Sequence, residues 1–199
     1  LCKQGKGITL YSSFKQNLKG DKIYTVFEDS EGDEWILTNK GISIIGKKQV
    51  DSDFPFQYIK EADGIIYLVS QSDKLASYNF KTRQFKFIEI PYHVSMINEV
   101  KKFDSNTLLL ATDNGLIIYK IKEKEFQLID IRTSTQPSNV VQSVYQDHYK
   151  ELWIFPQTTG VIRYNPSTKE MQHLFTPADE VIRYERKNKN VIFEDRQHT

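Results

Sequence analysis

One cysteine among 199 residues excludes an internal disulfide and any multi-cysteine metal site. That residue, Cys2, follows only Leu1 and falls where the end of a preceding strand or turn belongs, which argues against a lipid-anchor cysteine. Charge of one sign is missing too. Lys and Arg number 27 against 26 Asp and Glu, for a net charge of +1, so no basic stripe marks a nucleic-acid or polyanion surface. The densest basic stretch, Arg183, Arg186, Lys187 and Lys189, is broken by Tyr184, Glu185 and Asn188 and reads as a solvated connection. No apolar run approaches the roughly 18 to 20 residues a membrane span requires, and no secretory signal pattern is present. A sustained 3.6-residue apolar stripe is absent as well, which argues against long helices. Aromatic residues at 13% beside 27% charged residues argue against a disordered chain.

Enzyme signatures are equally scarce. His93, His148, His173 and His198 stand far apart, with no pair at i, i+4, so the zinc-hydrolase pattern is missing. Gly5-Lys6-Gly7 lacks the remaining glycine and the hydroxyl of a phosphate loop. No nucleophile elbow occurs. A Ser/His/Asp triad is a matter of geometry and stays open at this point. The run Asp29-Ser30-Glu31-Gly32-Asp33 has a calcium-loop look, but it lacks an Asp or Asn at its third position and has Lys40 where the closing Glu belongs. The better reading is a turn that Asp29 caps through side-chain-to-backbone bonds, with Gly32 supplying positive φ. No catalytic residue, cofactor or metal is expected.

What the chain does contain is a repeated phrase. Asp29 precedes Trp35 by six residues, and Asp147 precedes Trp153 by six; in both copies a glycine (Gly41, Gly160) then opens a second apolar run. Two degenerate copies lie between, with Tyr67 and Leu109 at the Trp position. The four positions are 32, 42 and 44 residues apart. A period near 40 fits either a four-stranded blade or a helical repeat. The runs 23–27, 65–69, 108–111 and 152–155 are short, β-branched and aromatic, and turn residues bound most of them, so they predict strands. In the last full repeat the four pieces fall at 140–146, 151–155, 161–165 and 170–175. Runs apolar on both faces fit sheets sandwiched between sheets, which predicts an all-β propeller of four-stranded antiparallel blades. Trp35 and Trp153 then belong to inter-blade packing.

The phrase running from Asp29 to Ile42, and Pro137-Ser138-Asn139-Val140-Val141 ahead of Asp147, resemble the regulator-propeller repeat. That repeat builds the periplasmic sensor regions of hybrid two-component histidine kinases of Bacteroidetes. The resemblance covers nearly the whole chain, strongly in the first and fourth copies and weakly in the second and third. It implies a periplasmic sensor segment of an inner-membrane kinase, tied to the membrane only through the parent protein. It also implies oligosaccharide sensing, without chemistry in this chain. Two alternatives stand beside it: a propeller scaffold for protein contacts with no small ligand, and, more distantly, a propeller lyase.

Gly7-Ile8-Thr9-Leu10-Tyr11 matches Gly115 to Tyr119 and Gly160 to Tyr164, and residues 191–195 match the stretch up to Asp147 in phase. The expected organisation is therefore the end of a preceding blade and a linker at 1–20, blades at 21–54, 55–92, 93–134 and 135–178, and a linker with the start of a further blade at 179–199. That is an incomplete ring and a piece of a larger protein. Sheet faces left open are expected to be covered by neighbouring blades of the parent or by a second copy in a homodimer.

In a propeller, loops entering the first strand share one face with the loops joining strands two and three. That face collects Asn39, Lys40, Gln71, Asp73, Asp113, Asn114, Gln157 and Thr158. The blade-to-blade connections add Asp51, Asp53, Tyr92, His93, Ser134, Gln136 and Asn139. Amides and an aromatic ring suit a sugar, which offers hydroxyls and an apolar C–H face. Tyr92, Asn114, Asn139 and Gln157 are the candidate contacts.

Overall fold

The computed structural model describes residues 18–46, 52–62, 64–70, 72–79, 82, 84–134, 136–158 and 160–174. Cys2, Gly5-Lys6-Gly7, the 7–11 match, Asp51, Asp63, Gln71, the basic stretch at 183–189, the 191–195 match and His198 lie outside these residues.

The described chain is all strand, turn and loop. Its first sheet contains β1 (Ile23–Glu28), β2 (Glu34–Thr38) and β3 (Gly41–Ile45). The second contains β4 (Tyr58–Ala62), β5 (Ile65–Val69), β6 (Leu75–Asn79) and β7 (Gln84–Ile88). The third contains β8 (Ile97–Asp104), β9 (Thr107–Thr112), β10 (Gly115–Lys120) and β11 (Glu125–Ile129), and the fourth β12 (Val141–Gln146), β13 (Leu152–Pro156), β14 (Val161–Tyr164) and β15 (Met171–Leu174). Every sheet is antiparallel, with its strands in chain order. Three sheets have four strands; the first shows three among the described residues. Two units divide the chain, Leu1–Ile88 with the first two sheets and Glu89–Thr199 with the last two.

The repeat positions coincide in register. Trp35 pairs with Phe27, Tyr67 with Lys60, Leu109 with Lys101 and Trp153 with Tyr145, each on the second strand of its sheet. The first three are buried, at 0%, 3% and 1% exposure. Trp153 is half-buried, contrary to the expected equivalence. The reason lies in its strand. β9 is buried at every position, whereas β13 alternates, with Leu152, Ile154 and Pro156 buried and Trp153 and Phe155 only half-covered.

Each unit has its own core between two sheets. In the first unit Trp35, Leu37 and Ile42 meet Phe56, Ile59, Ile66, Leu68, Ala76 and Tyr78. In the second, Leu109, Ala111, Leu116 and Ile118 meet Val141, Val144, Leu152, Ile154, Ile162 and Tyr164. The pairing registers make these the same positions, filled by complementary volumes. The first core holds Trp35 together with small Ala76, while the second holds the smaller Leu109 together with Ile162, which stands at the register position of Ala76. Trp35 meets Tyr78 edge-on, with ring centroids 5.8 Å apart. Removing about 200 Å² of indole from water contributes on the order of 5 kcal/mol.

The acidic turn before each Trp is built alike. In the first sheet Asp29 N donates to Asp33 O at 3.0 Å and Gly32 N to Asp29 O at 3.0 Å. In the fourth, Asp147 N donates to Glu151 O at 3.1 Å and Lys150 N to Asp147 O at 3.1 Å. Gly32 has φ +86°, and Lys150 occupies the same place at φ 68°. The Asp29 carboxylate caps the turn as expected: its Oδ1 accepts from Glu31 N and Asp33 N, both at 3.0 Å. Its other oxygen accepts from the Trp35 indole, a bond the sequence reading lacked. Asp147 repeats it: Oδ1 accepts from Glu151 N at 2.9 Å and Oδ2 from Trp153 Nε1 at 2.8 Å.

Candidate functional site

The polar loops at one end of the second unit draw three of the four candidate residues together. Asn114 occupies the β9–β10 turn. Thr112 turns its hydroxyl into that loop, donating to Gly115 O at 2.7 Å and accepting from Asn114 N at 3.1 Å. Gly115 has φ +101°, and a Cβ there would come within 2.6 Å of Ile129 O. The close approach lets Gly115 N donate to Asn139 O at 2.7 Å, which draws the connection between the third and fourth sheets against the turn.

The two asparagines form a relay. Ile131 N donates to Asn139 Oδ1 at 2.9 Å, Asn139 Nδ2 donates to Asn114 Oδ1 at 3.1 Å, and Asn114 Nδ2 donates to His93 O at 2.9 Å. One chain of amides thus fixes three loop segments. Asn139 is buried and Asn114 half-buried. Neighbouring Asp113 accepts from Ser95 N with both oxygens, at 3.1 and 3.2 Å. Gln157 joins the group through its backbone, donating to Val140 O at 2.9 Å, and its side chain is exposed. Gln136, in the same connection, is 4% exposed, and its Nε2 has no hydrogen-bond partner among the described residues.

Tyr92 departs from this group. Its hydroxyl donates to Phe126 O at 3.0 Å on β11, away from the β9–β10 turn. Of the other polar loop residues, Asn39, Lys40 and Asp53 are exposed in the first unit, where Asp53 pairs with Lys19 at 2.8 Å. Asp73 pairs with Lys74 at 3.0 Å, and that hydrogen bond holds its carboxyl below the usual range. His93, Ser134 and Thr158 are exposed in the second unit.

A second polar feature lies in the fourth sheet, a cleft of about 410 Å³ lined by Glu151, Arg163, Asn165, Glu170, Met171 and Gln172. Arg163 forms an ion pair with Glu151, Asn165 Nδ2 donates to Glu151 Oε1 at 3.2 Å, and the guanidinium lies 6.0 Å from the Trp153 ring centroid. Sequence reading missed this cleft, because its charges come from three separate places: Glu151 just ahead of β13, Arg163 on β14 and Glu170 just ahead of β15. Among the described residues no group of three or more His, Cys, Asp or Glu could hold a metal ion.

Solved structures share the fold of this chain. The extracellular domain of a hybrid two-component system from B. thetaiotaomicron superposes with a TM-score of 0.63 at 19% identity, over 81% of this chain and 22% of that one. The fold is that of β-propeller blades. Selenomethionine-substituted virginiamycin B lyase from Staphylococcus aureus shares it, with a TM-score of 0.60 at 15% identity over 79% of this chain and 56% of the lyase. Among curated proteins, histidine kinase P4 from Formosa agariphila is 22% identical over 156 residues. That match takes in 78% of this chain, which spans 9% of the kinase. No family model matches the chain. Blades of this kind occur both in a two-component system and in a lyase, so the fold alone carries no activity.

Proposed function

We propose that this chain is a segment of the extracytoplasmic sensor region of a hybrid two-component histidine kinase, periplasmic in location, and that it takes part in recognising an oligosaccharide. The observation that carries the reading is the agreement of two independent likenesses. A histidine kinase matches 78% of the chain in sequence, and the extracellular domain of a two-component system matches 81% of it in structure. The repeat phrase around Asp29 and Trp35 supports the same reading.

In this role the blades do no chemistry. They contribute a difference in binding free energy between two signalling states of a dimeric parent, since a ligand shifts an equilibrium only by its differential affinity. The relay loops are the proposed contact surface. Each amide nitrogen of Asn114 and Asn139 has a second hydrogen and each amide oxygen a second lone pair, and Gln157 stands exposed beside them. Tyr92 would offer its ring edge, because Phe126 already holds its hydroxyl.

One observation favours the scaffold reading instead: the relay commits Asn114 and Asn139 to holding loops. Calorimetric titration of the complete sensor region with plant and host oligosaccharides separates the two. Saturable heat that weakens at least tenfold in Gln157→Ala supports the ligand site. Binding unchanged by Gln157→Ala and Asn114→Ala moves the site elsewhere in the parent, and no binding to any glycan leaves the scaffold.

A further inference from the structure

One position sets the fourth sheet apart from the other three. Pairing register puts Arg163 opposite Trp153, where Ile44 stands opposite Trp35, Ser77 opposite Tyr67 and Ile118 opposite Leu109. Ile118 belongs to the core of the second unit, and Ile44 packs against that of the first. Arginine is rarely a core residue, so this place in the fourth sheet has a different use. Around it lies the cleft of about 410 Å³, at the end of the sheet opposite Gln157. Small-molecule sites occupy roughly 300–1,000 Å³.

Two side chains shape the cleft from within the chain. Glu151, with its side chain 13% exposed, spends both carboxylate oxygens internally: Oε2 on the Arg163 guanidinium, and Oε1 on Asn165 Nδ2 at 3.2 Å. Asn165 Oδ1 accepts from Ser167 N at 2.9 Å and Thr168 N at 3.1 Å. Glu151 and Asn165 are therefore positioning residues. Three others that line the cleft keep hydrogen-bonding capacity. Arg163 meets Glu151 through Nε and Nη2, so its Nη1 has no partner among the described residues. Nor has the Gln172 amide. Glu170 commits only Oε2, which accepts from Thr168 Oγ1 at 3.2 Å. Arg163 and Gln172 are cross-strand partners, about 5 Å apart at Cβ, and Glu170 precedes Gln172 by two residues.

We propose that this cleft binds a neutral sugar unit through adjacent hydroxyls. Guanidinium, amide and carboxylate are planar groups that each meet two neighbouring hydroxyls at once, as donor, as both, and as acceptor. Met171 adds apolar atoms to the lining, and the Trp153 ring lies 6.0 Å from the guanidinium, so a C–H face has a place as well. Arg163 and Glu151 cancel in charge, and Glu170 leaves one negative charge, which opposes an anionic ligand. The inference rests on the oligosaccharide reading above and gives it a site of its own, separate from the relay loops.

The test is calorimetric titration of the whole chain with maltose, cellobiose, lactose and sucrose, with glucosamine and glucuronate as charged controls. Saturable binding of a neutral disaccharide is expected, at least tenfold weaker in Arg163→Ala. Gln172→Ala releases no bond within the chain and should weaken it about fivefold. In Gln157→Ala this binding persists. Tighter binding of either charged control, binding indifferent to both cleft substitutions, or no binding overturns the proposal. Binding that is lost only in Gln157→Ala also overturns it but keeps the oligosaccharide reading. That reading falls separately, when the complete sensor region binds no glycan.

Discussion

The Trp35 indole N–H donates to Asp29 Oδ2 at 2.9 Å, six residues back, while Asp29 Oδ1 holds the intervening turn closed. The spacing that made the repeat visible in the sequence is therefore a bond length in the structure. Asp is suited to the place because one short carboxylate must serve three donors in two directions. The bond recurs between Asp147 and Trp153 at 2.8 Å.

Removing the Asp29 carboxylate should be costly because its donors are buried. Trp35 is 0% and Asp29 6% exposed, so water has poor access to a vacated site. Asp29→Ala is expected to lower stability by about 3 kcal/mol, the scale for a charged acceptor lost from buried donors. Asp147→Ala should cost less, about 1 kcal/mol, because half-buried Trp153 can turn its N–H to water. Chemical denaturation of both variants checks the order; equal losses would show that the turn bonds, and not the indole bond, set the cost.

Legibility followed locality. The strands, their order and the turn capped by Asp29 were readable because each rests on residues a few positions apart. Gly32 was read as the positive-φ residue, yet Lys150 takes the same conformation at φ 68° without glycine, so the fourth turn showed only its Asp and Trp. Burial of Trp153 was misjudged because a repeat position predicts a partner sheet that the described residues do not include. The Asn114–Asn139 relay was invisible as a relay, since it joins residues 25 positions apart across two loops. Choosing polar loop residues found its members, but only coordinates show where their amides are spent.

Alkaline pH should probe the third and fourth sheets. Tyr119 and Tyr164 are 3% exposed, and burial raises both phenols above their ordinary value of 10.0, a hydrogen bond with Gln127 partly opposing the rise in Tyr164. The unfolded chain releases these protons near pH 10 and the folded chain only at higher pH. Their contribution to stability is thus complete below pH 10 and is lost as pH rises through the folded values. Denaturant midpoints should fall as pH rises above about 10, the ordinary value of a phenol. Tyr119→Phe should flatten that fall, and an unchanged slope would mean that Tyr119 ionises in the folded chain as it does in water.

The relay between Asn114 and Asn139 makes a sharper demand, because the two residues share one bond and each has a task of its own. Asn139→Ala strips the acceptor from Ile131 N–H, next to a side chain that is 0% exposed, so a loss of about 2 kcal/mol is expected. Asn114→Ala releases only the half-exposed turn from His93 O and should cost about 1 kcal/mol. If the amides act as one chain, the double variant loses less than the sum, with a coupling of about 0.5–1 kcal/mol. Thermal and denaturant unfolding of the four proteins measure that coupling directly. Additive losses would mean that the 3.1 Å bond between the amides holds nothing in place. Asn139 would then hold Ile131 N–H, and Asn114 the His93 carbonyl, as two separate fastenings.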